Sequence, residues 1–207
     1  MMVTRSPLKL AVLVSGNGSN LQAIIDAIES GAINAKITCV VSNKSDAFAL
    51  TRAIKHNIPT AIHKNQDYST RREYDAALVK ILRDHGAELV ILAGFMRILS
   101  EVMVNAFPHA IINIHPALLP AFPGLHAQKQ ALDYGVRYSG CTVHLVDCGT
   151  DTGPIIIQAV VPIEQNDTEE TLSARIQQEE HRCFPEAIRL FAEGKIQVNG
   201  RHVQISP

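Results

Sequence analysis

The chain has 207 residues, 46% of them hydrophobic, with 19 basic side chains against 20 acidic ones and a net charge of −1. That length suits one domain with a sizeable core, and the near-neutral balance leaves no global field to draw the chain to nucleic acid or an anionic membrane. No apolar stretch approaches the roughly 18 residues of a membrane span, and the four cysteines, Cys39, Cys141, Cys148 and Cys183, form no C-x-x-C pair and fit a reducing cytoplasm.

The first apolar run, Leu10 to Val14, is short and stops at Gly16 without a small-residue cleavage pattern, so it reads as a strand and not as a secretory signal. "SGNGSN" (Ser15 to Asn20) leads into a helix whose stripe is Leu21, Ile24, Ile25 and Ile28, with Gly31 placed to end it. A second strand, "ITCVV" (Ile37 to Val41), precedes a second stripe at Tyr74, Ala77, Leu78, Ile81 and Leu82, which Gly86 closes. "LVILA" (Leu89 to Ala93) and "AIINI" (Ala110 to Ile114) are further strands, apolar throughout and therefore buried on both faces. Pro116 and Pro120 then turn "PALLPAFPG" into a stiff extended loop. "TVHLV" (Thr142 to Val146) and "IIIQAVV" (Ile155 to Val161) are late strands. A long helix is expected to start at Asp167, with Glu170 completing a capping box, and to kink near Pro185 before ending towards Gly194. Strands alternating with helical stripes make β-α-β units. The expected fold is α/β, a Rossmann-like, mostly parallel sheet with helices on both faces, in a single domain over residues 1–207.

In such a sheet ligands sit beyond the carboxyl ends of the strands, so the segments after each apolar run are the ones to search. The glycines of "SGNGSN" let backbone N–H groups close on an anion at a helix N-terminus. Leu21 occupies the place of the third glycine of a dinucleotide fingerprint and no Walker-type lysine follows, so a single phosphate fits better, the alternative being a plain turn capped by Ser19 or Asn20. Asn113 and His115 flank Ile114 on one strand and point to the same side, about 7 Å apart. An amide donor beside a titratable imidazole suits a carbonyl that becomes an oxyanion, as in acyl transfer to an amine; the alternative is a capped strand end. Asp151, in "GTDTGP", is the candidate carboxylate to raise the imidazole's pKa, against ordinary turn chemistry. His115, His126, His144 and Asp151 lack H-x-x-x-H or H-E-x-x-H spacing, so no metal is assigned, and no G-x-S-x-G elbow occurs.

"LVSGNGSNLQAII" (Leu13 to Ile25), "AGFMRILS" (Ala93 to Ser100), "INIHPALLPAFPGLHAQKQAL" (Ile112 to Leu132), "GCTVHLV" (Gly140 to Val146), "DTGPIIIQ" (Asp151 to Gln158) and "RIQQEEH" (Arg175 to His181) together resemble the glycinamide ribonucleotide formyltransferases. The resemblance implies the formyltransferase fold, with a phosphate-binding half over about 8–108 and a folate-binding and catalytic half over about 109–207. It implies transfer of the formyl group of 10-formyltetrahydrofolate, as co-substrate, to glycinamide ribonucleotide, with no metal. Asn113 would hold the oxyanion, His115 act as general acid, and Asp151 raise the pKa of His115. Gly18, Ser19 and Asn20 would hold the substrate phosphate, and Gln177, Gln178, Glu179 and Glu180 the rest of the ribonucleotide. The folate would lie against Met96, Arg97, Ile98, Leu99, Asn113 and the loop Asp147, Cys148, Gly149, Thr150, Asp151, with Arg71 near its carboxylate tail. His144 belongs to the family pattern as a residue behind the site. The chain departs from that pattern at Ala117, where the family usually has serine, and at Cys148 and Thr150.

Within the same fold, the formyltetrahydrofolate hydrolases add an N-terminal regulatory domain and the methionyl-tRNA formyltransferases a C-terminal tRNA-binding one, and 207 residues are expected to leave room for neither. A non-catalytic nucleotide-binding module is the rival from another class. The expected partners are the two small substrates, without nucleic acid or membrane, and a homodimer is left open.

Overall fold

Alternate residues of the first strand, β1 (Leu8–Val14), serve two different cores. Leu10, Val12 and Val14 join a cluster with Leu21, Ile24, Ile176, Phe184 and Ile188, whereas Ala11 and Leu13 join one with Tyr74, Leu78, Leu82 and Met103. A strand buried on both faces needs helices on both, and the continuous apolar runs carry that requirement.

The structure is a computed structural model that describes residues 6–207. Along the chain follow α1 (Ser19–Glu29), β2 (Ala35–Ser42), α2 (Phe48–Lys55), β3 (Thr60–Ile62), α3 (Arg71–Asp84), β4 (Leu89–Leu92), α4 (Glu101–Ala106) and β5 (Ile111–His115). The second part comprises α5 (Ala127–Tyr134), β6 (Tyr138–Leu145), β7 (Ile155–Pro162), α6 (Glu169–Ala192), β8 (Ile196–Asn199) and β9 (His202–Ile205). Among the described residues, seven strands form one sheet in the order β3-β2-β1-β4-β5-β6-β7, and β8 and β9 form a separate hairpin. The first five strands pair in parallel, while β6 and β7 run antiparallel. The mostly parallel single-domain α/β architecture is as expected from the alternation.

β1 neighbours both β2 and β4, so the strand order reverses there and opens a crevice above β1, β4 and β5. The expected strands and both early helices stand where the apolar runs and stripes put them. The long helix differs at its start. Thr168 is the cap, its hydroxyl accepting from the Thr171 N–H while Thr171 accepts from the Thr168 N–H. Asp167 is drawn away from that role because its carboxylate is taken by Arg175, at 2.6 and 2.9 Å. The helix continues through Pro185 to Ala192. No helix among the described residues is long and apolar enough to cross a membrane.

Candidate active site

The apolar run of β5 ends with Asn113 and His115 at the crevice, and both line a cavity of about 510 Å³. Asp151 lines it too, from the loop after β6. Its Oδ2 lies 3.4 Å from Nδ1 of His115 and accepts the Gly124 N–H at 2.7 Å. His115 is only 4% exposed, and its Nε2–H donates to the Phe122 carbonyl at 2.8 Å. Both ring nitrogens therefore face oxygen acceptors.

Asn113 stands opposite His144 in the antiparallel register of β5 and β6. The His144 Nδ1–H donates to the Leu145 carbonyl at 2.8 Å, leaving Nε2 to accept from the Asn113 side-chain N–H at 3.1 Å. Burial pushes the His144 pKa below its ordinary 6.5, outweighing the nearby Asp151 carboxylate. Although Asp151 Oδ1 is 3.7 Å from His144 Nε2, the pair is not an ion pair in the neutral ring. A neutral acceptor fixes which end of the Asn113 amide is nitrogen, and one N–H of that amide remains unspent.

The proline loop after His115 is held through its backbone by the side chains of Thr142 and Gln158. The buried Thr142 hydroxyl donates to the Ala117 carbonyl at 2.7 Å and accepts from the Leu119 N–H at 3.0 Å, while Gln158 donates to the Leu119 carbonyl at 2.9 Å. None of these needs a side-chain oxygen at position 117, so alanine there leaves the loop tied.

On the other side of the cavity, Met96, Arg97, Ile98 and Leu99 form a wall. Their loop is anchored from both ends: the Ser15 hydroxyl accepts the Met96 N–H at 2.9 Å, and buried Asp75 takes the Ser100 N–H and hydroxyl at 2.5 and 2.6 Å. Asp147, Gly149 and Thr150 complete the opposite rim, whereas Cys148 is exposed outside the lining. Arg71 is exposed at the start of α3 and also lies outside the lining. Its neighbour Arg72 pairs with Glu101, which keeps that helix end beside the 96–101 segment.

The glycine loop enters α1 through Gly18, which caps the helix in a left-handed conformation, φ 77°. Neither Ser19 nor Asn20 caps it; both are engaged by α6 instead. Gln177 donates to the Ser19 hydroxyl and Asn20 to the Glu180 carboxylate, each at 2.9 Å. Glu180 is nearly buried, and that burial raises its carboxyl above the ordinary 4.5, against the pull of the Asn20 N–H. Gln178 is exposed and Glu179 pairs with Arg182, so of the four α6 residues only Gln177 and Glu180 bond to the loop in this arrangement. Arg52 of α2, absent from the expected set, ties the loop by donating to the Asn17 carbonyl at 3.0 Å. No group of three His, Cys, Asp or Glu among the described residues is placed to hold a metal ion.

The site thus sits on an α/β domain with a glycine loop at a helix N-terminus and an Asn-His-Asp cluster at the carboxyl end of β5. Residues 8–188 match the formyl transferase family. The chain is 49% identical over 195 residues to the trifunctional purine biosynthetic protein adenosine-3 of Chironomus tentans, matching 93% of this chain and 14% of that protein. It thus spans about 14% of the length of that relative. It is 43% identical over 192 residues to the phosphoribosylglycinamide formyltransferase of Escherichia coli (strain K12), matching 93% of this chain and 91% of that protein. The crystal structure of glycinamide ribonucleotide transformylase 1 from Symbiobacterium toebii superposes with a TM-score of 0.98 at 48% identity, covering 100% of this chain and 98% of the other. The chain belongs to the formyl transferase family.

Proposed function

We propose that the chain transfers the formyl group of 10-formyltetrahydrofolate to the primary amine of glycinamide ribonucleotide, a step of purine biosynthesis. The observation that carries this reading is the meeting of Asn113, His115 and Asp151 at one cavity wall, with Asp151 3.4 Å from the His115 ring.

The amine nitrogen attacks the formyl carbon, and the carbonyl oxygen becomes an oxyanion. The free N–H of Asn113 donates to it. The Nε2–H of His115 is committed to Phe122, so the Nδ1–H, held only by the long Asp151 contact, is the one available to substrate. Collapse breaks the bond between the formyl carbon and the folate N10; the proton that N10 gains balances the one the amine loses, with His115 as donor and Asp151 stabilising the cationic ring.

The apolar wall of Met96 and Ile98 to Leu99 suits the flat pterin, and the Asp147–Asp151 loop closes its other side. Gly18, Ser19 and Asn20 offer backbone N–H groups to the phosphate at the positive end of α1. Gln177 and Glu180 suit the ribose hydroxyls. Residues 8–108 supply the phosphate loop and 109–207 the catalytic groups, although α6 crosses that division to reach the loop.

The test mixes the protein with both substrates and follows loss of the folate's formyl group. Turnover dependent on the ribonucleotide and unaltered by chelation is the expected result. Turnover no greater than with heat-killed protein rejects the reading, and zinc-restored activity after chelation rejects the mechanism.

A further inference from the structure

The segment from Asp147 to Gly153 carries Asp151, yet it has no helix or strand of its own. From within, the Asp147 carboxylate takes the Gly149 N–H at 3.0 Å and the Thr152 hydroxyl at 2.6 Å. Asp151 has φ 55°, a left-handed backbone that a non-glycine residue keeps only when its surroundings hold it. Part of that hold is the Gly124 N–H on its carboxylate.

Another part comes from 49 residues away. Arg201, in the turn between β8 and β9, donates from Nη1 to the Thr152 carbonyl at 2.9 Å, one residue beyond Asp151. Among the described residues Arg201 makes no ion pair, so this carbonyl is the partner its guanidinium has. The hairpin itself is rooted: Ile196, Val198 and Val203 pack against the main core, and the Ser206 N–H donates to the Lys195 carbonyl at 2.9 Å. Its turn therefore stands on a packed hairpin, from which a long side chain reaches the loop that carries Asp151.

We propose that Arg201 is a positioning residue for formyl transfer, holding the Asp147–Gly153 loop in the shape that closes on the folate and presents Asp151 to His115. This rests on the formyl-transfer reading above. A charged donor on an exposed carbonyl makes a modest bond, so the effect is one of tuning and not of all or none.

The test compares the full chain with Arg201→Ala and Arg201→Lys, by steady-state kinetics against each substrate and by amide hydrogen exchange. Arg201→Ala is expected to raise KM for 10-formyltetrahydrofolate about three- to tenfold, leave KM for glycinamide ribonucleotide unchanged, and speed exchange within residues 147–153 alone. Arg201→Lys is expected to recover part of each change, since its ammonium can reach the same carbonyl. An Arg201→Ala protein with unchanged folate KM and unchanged loop exchange overturns the proposal. So does a rise in both KM values together with faster exchange throughout the chain, the signature of a hairpin that merely supports the fold. If the wild type transfers no formyl group, the functional reading falls, and the exchange comparison still decides whether Arg201 holds the loop.

Discussion

The two ends of the Asn113 amide differ chemically, and only its nitrogen can meet an oxyanion. His144 selects that end, because its own proton is committed to the Leu145 carbonyl and its free lone pair accepts from Asn113. Asn113→Ala is expected to lower kcat by at least about tenfold, within the range for loss of an oxyanion donor. His144→Ala should lower it less, and the double variant should be no slower than Asn113→Ala alone, since the histidine acts through the amide. Additive losses in that cycle would show that His144 acts by another route. The burial that keeps His144 neutral also sets a pH dependence. Above about 6.5, its ordinary value, the ring is neutral in folded and unfolded chains alike and contributes no difference. As pH falls below that, the unfolded chain takes a proton that the buried ring refuses, so stability is lost, by at most about 1.4 kcal/mol per pH unit. Glu180 works in the opposite sense, its raised carboxyl binding a proton first in the fold. Urea denaturation at pH 7.5 and 5.5 should therefore show wild type losing more stability than His144→Gln; equal losses would contradict the neutral assignment.

At the scale of elements, the candidate site was legible where chemistry and chain order coincide. The apolar run of β5 stops at a polar pair, and the glycine loop sits between a strand and a helix, so Asn113, His115 and Gly18 could be found one segment at a time. Other parts depend on pairings that no local pattern encodes. The bond from Asn113 to His144 follows from antiparallel register, and the Ser19–Gln177 and Asn20–Glu180 bonds span 158 and 160 residues. The helix start was displaced by one residue because Arg175 competes for Asp167. The short elements α2, β3, α4 and α5 and the terminal hairpin had no sequence reading, since each is too brief for a clear apolar period. Their contribution is substantial all the same. α2 packs so closely on the glycine loop that a Cβ on Gly18 would lie 2.6 Å from the Ala49 Cβ. Gly18→Ala should push the loop off α2, strain a left-handed φ of 77°, and raise KM for glycinamide ribonucleotide at least about tenfold with kcat less affected, measured against the folate KM as internal control. An unchanged ribonucleotide KM would remove the loop from phosphate binding.

On the scale of the whole molecule, the two binding regions of the proposed function would meet where the strand order reverses at β1 and β4. The loops after β1, β4 and β5 are brought to one edge of the sheet; β6 runs antiparallel to β5 and ends beside its amino end, so the loop after β6 has to fold back to place Asp151 3.4 Å from the His115 ring. Under the proposed function, substrates held on opposite walls of that crevice would be presented to each other with the Asn-His-Asp cluster between them, and positioning of this kind supplies a large share of the acceleration in a bimolecular reaction. The central claim is that a formyl group crosses this gap under the control of His115 and Asp151. It is tested most directly by a single-turnover experiment with formyl-labelled 10-formyltetrahydrofolate and glycinamide ribonucleotide, following the label into the ribonucleotide by mass spectrometry. The account predicts stoichiometric label in the product with wild type and a rate at least about tenfold lower with Asp151→Asn, the fold unchanged. Label that never reaches the ribonucleotide, or transfer by Asp151→Asn at the wild-type rate, would contradict it.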